Sequence, residues 1–111
     1  MTVKEIAEKL NLKYFTCEEL AETKEASGCY IGDLLSFAMS KVEMNNVWIT
    51  IQTNVNIVAV ATLAEAACII LTDGCVPDKL AIDKATEQEM IILGGDITAY
   101  EAAAKLSQMG I

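Results

Sequence analysis

Three short polar runs follow the most apolar segments of the chain. Thr50, Gln52, Thr53, Asn54 and Asn56 come after Val47-Trp48-Ile49, Thr72-Asp73-Gly74 after Cys68 to Leu71, and Gly94-Gly95-Asp96 after Met90 to Leu93. Hydroxyls and amides donate and accept hydrogen bonds, a carboxylate accepts them, and glycine lets a ligand approach the backbone. That chemistry suits recognition of a small polar molecule rather than bond breaking. Where such runs end parallel strands they converge on one rim, where α/β proteins usually hold ligands. The candidate site is therefore Thr50, Gln52, Thr53 and Asn54 with Thr72, Asp73 and Gly74. A helix starting near Asn54 would add unpaired amides and a partial positive charge. Asp73 opposes an anion, so a sugar or base edge fits this rim better than a bare phosphate. Taken singly, each residue is what a turn or helix cap requires, and only their convergence argues for a site.

Residues that would do catalysis are missing. The chain has no histidine, and its glycines, at positions 28, 32, 74, 94, 95 and 110, form neither GxxxxGK[ST] nor GxGxxG. No GxSxG elbow surrounds a serine. Cys17, Cys29, Cys68 and Cys75 include no CxxC pair, so free thiols are expected, with Cys68 a core residue and no metal or other cofactor. The chain is read as a non-enzyme with no catalytic residues.

The elements that must position the rim follow from caps and periodicity. Thr2-x-x-Glu5 is a capping box opening a helix over residues 2–10, with Asn11 as its stop. Strands are expected near 13–16, 26–31, 47–51, 67–71 and 90–93, the last ended by Gly94-Gly95. Asp33 can cap a helix from Leu34 to about Val42, and Pro77-Asp78 can start one with Leu80, Ala81, Ile82 and Ala85 inward. Thr98-x-x-Glu101 is a second capping box, for a helix ending at Gly110. Residues 17–25 are ambiguous. The run from Val55 to Ala64 fits either a buried helix capped by Thr53 or Asn54, or the second arm of a hairpin; its alanines favour the helix. This alternation predicts an α/β fold: one three-layer domain over residues 1–111, with a mostly parallel five-stranded sheet and helices on both faces.

With 111 residues, 53% of them hydrophobic, the chain has enough apolar surface for one core. Eight lysines and arginines against sixteen acids leave a net charge of −8, which disfavours nucleic acid and anionic membrane as partners. No apolar run reaches bilayer length and the first residues do not resemble a secretion signal, so a cytoplasmic location is expected. Between Val55 and Ala64 only Asn56 and Thr62 are polar. A helix that apolar calls for something to cover it, and a second copy of the chain is the simplest cover.

Several segments together resemble a known family. They are Tyr30-Ile31-Gly32-Asp33-Leu34-Leu35-Ser36, Trp48-Ile49-Thr50-Ile51-Gln52-Thr53-Asn54, Asn56-Ile57-Val58-Ala59-Val60-Ala61, and Ile69-Ile70-Leu71-Thr72-Asp73-Gly74 with Pro77-Asp78. In this order they resemble the DRTGG domain family over nearly the whole chain. That family is similar to the N-terminal domain of HPr kinase/phosphorylase and, more distantly, to the uridine-nucleotide-binding domain of Mur ligases. It also occurs as a regulatory insert beside CBS domains in some pyrophosphatases and within some phosphate acetyltransferases. The resemblance implies a helix at 54–64 and a regulatory or scaffolding module acting through homodimerisation and a partner protein. The alternative it leaves open is a small-molecule sensor, for instance of a nucleotide. Thr53-Asn54 stands where the family often has Asp-Arg, and Thr72-Asp73-Gly74 where it often has Thr-Gly-Gly. Both departures weaken the case for a phosphate ligand.

Overall fold

The computed structural model describes residues 1–111. Its elements, in chain order, are α1 (Val3–Leu10), β1 (Lys13–Tyr14), a 3₁₀ turn (Glu18–Leu20), β2 (Cys29–Ile31), α2 (Leu35–Lys41), β3 (Val47–Thr50), α3 (Asn56–Ala64), β4 (Cys68–Leu71), α4 (Lys79–Glu87), β5 (Ile92–Gly94) and α5 (Ala99–Gln108). They form a five-stranded sheet in the order β1-β5-β4-β3-β2. All pairs are parallel except β1 with β5, which run antiparallel. The fold class is the expected one, and the run expected as a helix at 54–64 is helical rather than a hairpin arm, starting two residues later at Asn56.

The layering follows from the strand order. From β2 to β5 each crossover moves one strand across in the same direction, so crossovers of one hand put α2, α3 and α4 on one face. Strand alternation sorts the core accordingly. Trp48, Ile69, Leu71 and Ile92 pack with Ile57, Val58 and Ala61 of α3 and with Ala81 and Ala85 of α4. Val47, Ile49, Cys68, Ile70 and Leu93 meet α1 and α5 through Ile6, Leu10, Ala102 and Leu106. Every residue of β3 and β4 is buried. Burial of each large apolar side chain there contributes about 1.5–3 kcal/mol.

Both capping boxes are present: Thr2 with Glu5 on α1 and Thr98 with Glu101 on α5. Asn11 ends α1 in the left-handed region at φ 54°. Two expected helix details differ, although α4 starts after Asp78 as expected. Asp33 does not cap α2, whose N-cap is Leu34 without a side-chain bond. Its carboxylate is engaged by β3 instead, as described below. Leu80, expected inward, is 70% exposed, because α4 turns only Ala81 and Ala85 fully into the core. The fifth strand also begins two residues later than expected and retains Gly94, which pairs with Lys13 on one side and Leu71 on the other. Thr16 ties the exit of β1 to this strand, its buried hydroxyl donating to Met90 O at 2.7 Å and accepting from Ile92 N at 2.9 Å.

The apolar α3 lies between α2 and α4, which explains most of its composition. Ile57, Val58, Val60 and Ala61 are buried, whereas Leu63 remains exposed. No helix is long and apolar enough to cross a membrane.

Candidate functional site

The polar residues after β3 are joined in one hydrogen-bonded chain. Buried Thr50 donates its hydroxyl to Asp33 Oδ1 at 2.9 Å, and the Ile51 amide donates to the same oxygen at 3.0 Å. Gln52 donates its amide to Thr50 Oγ1 and its side-chain Nε2 to Asp33 O. Asn54 donates to Gln52 Oε1 at 3.2 Å and accepts from Asn56 N at 2.9 Å. The Thr53 carbonyl accepts from Asp78 N at 2.9 Å, which holds the start of α4 against the same loop. The first-turn amides of α3 are largely committed: Asn56 N to the Asn54 side chain, Ile57 N to Asn54 O and Val58 N to Val55 O. This helix N-terminus therefore presents few free donors, contrary to the sequence expectation.

After β4 the arrangement opens. Thr72 is buried, donates its hydroxyl to Asp73 Oδ2 at 2.9 Å and reaches Thr50 O through its amide. Asp73 and Gly74 both take left-handed conformations, at φ 58° and 72°. That bend aims their amides at Ile97 O and Gly95 O, so this loop leans on the one following β5. Between them and the α1–β1 corner lies a cleft of about 350 Å³, lined by Asn11, Lys13, Gly74, Cys75, Gly94, Gly95 and Asp96. Lys13 holds its ammonium 5.0 Å from the centre of the Phe15 ring. A side chain at Gly94 would strike that ring, since a Cβ there would stand 2.4 Å from Phe15 Cε2. A cleft of similar volume lies at the opposite, amino end of β4 and β5, away from the strand ends where parallel sheets usually hold ligands.

The structure brings the seven sequence-derived site residues onto one rim, linked by the Thr72–Thr50 and Asp78–Thr53 backbone bonds. Of the seven, only Gly74 lines the cleft. Thr50 and Thr72 are buried, Gln52 and Asn54 bond to one another, and Asp73 is exposed beside the opening. Sequence reasoning recognised Gly94-Gly95-Asp96 as a rim turn without including it in the site. It missed Asn11 and Lys13 altogether, because the antiparallel return of β1 beside β5 leaves no local signal.

Three of the four thiols are poor nucleophiles. Burial pushes Cys68 up to about 12, partial desolvation on the edge strand pushes Cys29 up to about 11 although its residue is exposed, and burial followed by the nearby Glu19 raises Cys17.

Neither family models nor curated proteins match this chain. A solved structure does: the CBS and DRTGG domains of the regulatory region of Clostridium perfringens pyrophosphatase, complexed with the activator diadenosine tetraphosphate. The TM-score is 0.77 at 14% identity, over 96% of this chain and 46% of that one. The two share a fold. That agrees with the DRTGG resemblance at the level of architecture, and this chain spans less than half the length of the matched region.

Proposed function

We propose that this chain is a non-catalytic regulatory or scaffolding module that acts as a homodimer and engages a partner protein. The observation that carries the reading is a set of exposed apolar side chains around the β2 edge of the sheet. Ile31 and Ile51 are exposed there, and Leu34 and Phe37 of the α2 segment are 61% and 59% exposed. They flank the edge from both sides: Ile31 pairs in register with Ile49, whose side chain faces α1 and α5, whereas α2 packs on the opposite side of the sheet. β2 has a strand on one side only, so its outer backbone groups are unpaired within the sheet. Exposed apolar side chains on both sides of an open edge favour association, and a second copy docked along that edge covers them together. Light scattering is expected to return about twice the 12.0 kDa of one chain, and Phe37→Lys to return the single-chain mass. A mass of one chain across a wide concentration range removes the dimer.

A second reading, a small-molecule sensor at the strand-end rim, is favoured by the cleft beside Gly74 and Asp96. The matched pyrophosphatase region was solved with a nucleotide activator, which makes nucleotides the first compounds to screen. Ligand binding raises the unfolding midpoint by mass action, whereas a pure scaffold shows no shift. Either way, no kinase, phosphorylase or ATPase activity is expected, because phosphoryl transfer needs a phosphate-cradling loop with its lysine and metal. ATP hydrolysis that disappears on a point substitution in this chain would contradict that.

A further inference from the structure

Lys13 and Asp96 line the same cleft, yet they form no ion pair with each other or with any other residue. The chain's ion pairs are Met1–Glu25, Lys79–Asp83 and Lys84–Glu87. Lys13 is steadied over Phe15, and Phe15 in turn packs against Gly94, so the cation is held at one wall. Asp96 stands at another wall, close to Gly74, where an added Cβ would come within 3.0 Å of Oδ1. Between them Gly74, Gly94 and Gly95 leave backbone rather than side chains lining the cleft.

We propose that this cleft binds a zwitterionic α-amino acid, with Lys13 receiving its carboxylate and Asp96 its ammonium. The proposal deepens the sensing reading and rests on it. Three magnitudes point to this ligand class. A volume of about 350 Å³ is at the small end of the roughly 300–1,000 Å³ typical of ligand sites, too small to enclose a dinucleotide. One lysine supplies one positive charge, which matches one carboxylate and not a polyphosphate. The net charge of −8 repels anions, whereas a zwitterion carries no net charge and escapes that repulsion. Two separated, opposite charges also select against ligands that carry only one, since the other wall is then left without a partner.

The test is a titration of the ¹⁵N-labelled chain with glycine, L-alanine, L-serine and L-glutamine, with N-acetyl-L-alanine amide, L-lactate and ethylamine as matched compounds lacking one or both charges. Saturable amide shifts at Gly74, Gly94, Gly95 and Asp96 are expected with at least one amino acid and not with the matched compounds. Lys13→Gln and Asp96→Asn should each weaken binding by about tenfold while the remaining spectrum shows an intact fold. Equal shifts with the matched compounds, or full affinity in both folded variants, overturn the proposal. AMP is run in parallel. Saturable shifts with AMP and none with any amino acid overturn the amino-acid assignment while leaving the sensing reading in place, and no shift with either overturns both.

Discussion

The two halves of the strand-end rim are built from similar residue types and organised in opposite ways. After β3, the side chains of Thr50, Gln52 and Asn54 find their partners within the rim, and Asp33 is spent on Thr50 and Ile51. Around β5, Lys13 and Asp96 face a cleft without ion-pair partners. The first half is a partly buried polar network, in which removing a member such as Asp33 leaves the buried Thr50 hydroxyl unsatisfied. The second has the opposite property. Its charged groups do little for folding and are free for a ligand. Polar composition alone therefore does not locate a site; unspent hydrogen-bonding and charge capacity does.

Substitutions can break that comparison. The largest effect is expected from Asp33→Ala, which leaves the buried Thr50 hydroxyl without its acceptor and the Ile51 amide to water, and should cost about 2 kcal/mol in urea unfolding. Asp96→Ala should stay within about 0.5 kcal/mol of the parent. Similar losses at both positions would erase the distinction between the halves. Gly94→Ala comes next. Its methyl meets Phe15 Cε2, and overpacking of this kind should cost about 1–2 kcal/mol. Phe15→Ala in the same background should recover part of the loss; if nothing is recovered, the glycine is needed for some other reason.

Smaller effects sharpen the contrast. Asn54→Ala removes the acceptor for Asn56 N at the start of α3 and should cost about 1 kcal/mol, with no change in binding at the Gly74–Asp96 cleft. A loss of ligand affinity with stability unchanged would move Asn54 from structure to site. The least effect concerns acid. Hydrogen bonds from Thr2 and Thr98 hold Glu5 and Glu101 below the ordinary glutamate value. Their folded-state values are lowered, so their contribution is present above the glutamate range and lost as pH falls through it. Thr98→Ala should flatten the acid limb of a stability–pH curve. An unchanged limb would show that the box beside the open half of the rim does not favour the ionised carboxylate.

The amino-acid sequence by itself determined the local elements and their type. Capping boxes at Thr2 and Thr98, the stop at Asn11 and the unbroken apolar runs of β3 and β4 depend on interactions within a few residues, so they can be read along the chain. The rim was legible for the same reason, since strand ends in a parallel sheet must converge. Tertiary structure alone decided which rim residues were spent. Asp33 looked like a helix cap because a carboxylate before an apolar helix usually is one. It binds the end of β3 because register places Thr50 and Ile51 beside it across seventeen and eighteen residues of sequence. Leu80 looked like core by spacing and lies outside because the small Ala81 and Ala85 seat α4 on the sheet. Lys13 joined the cleft only through the antiparallel pairing of β1 with β5, a contact between residues 13 and 94 that no local pattern encodes. Hydrogen bonds and charges are satisfied by whatever the fold brings near, and which groups remain free is therefore a property of the packed molecule.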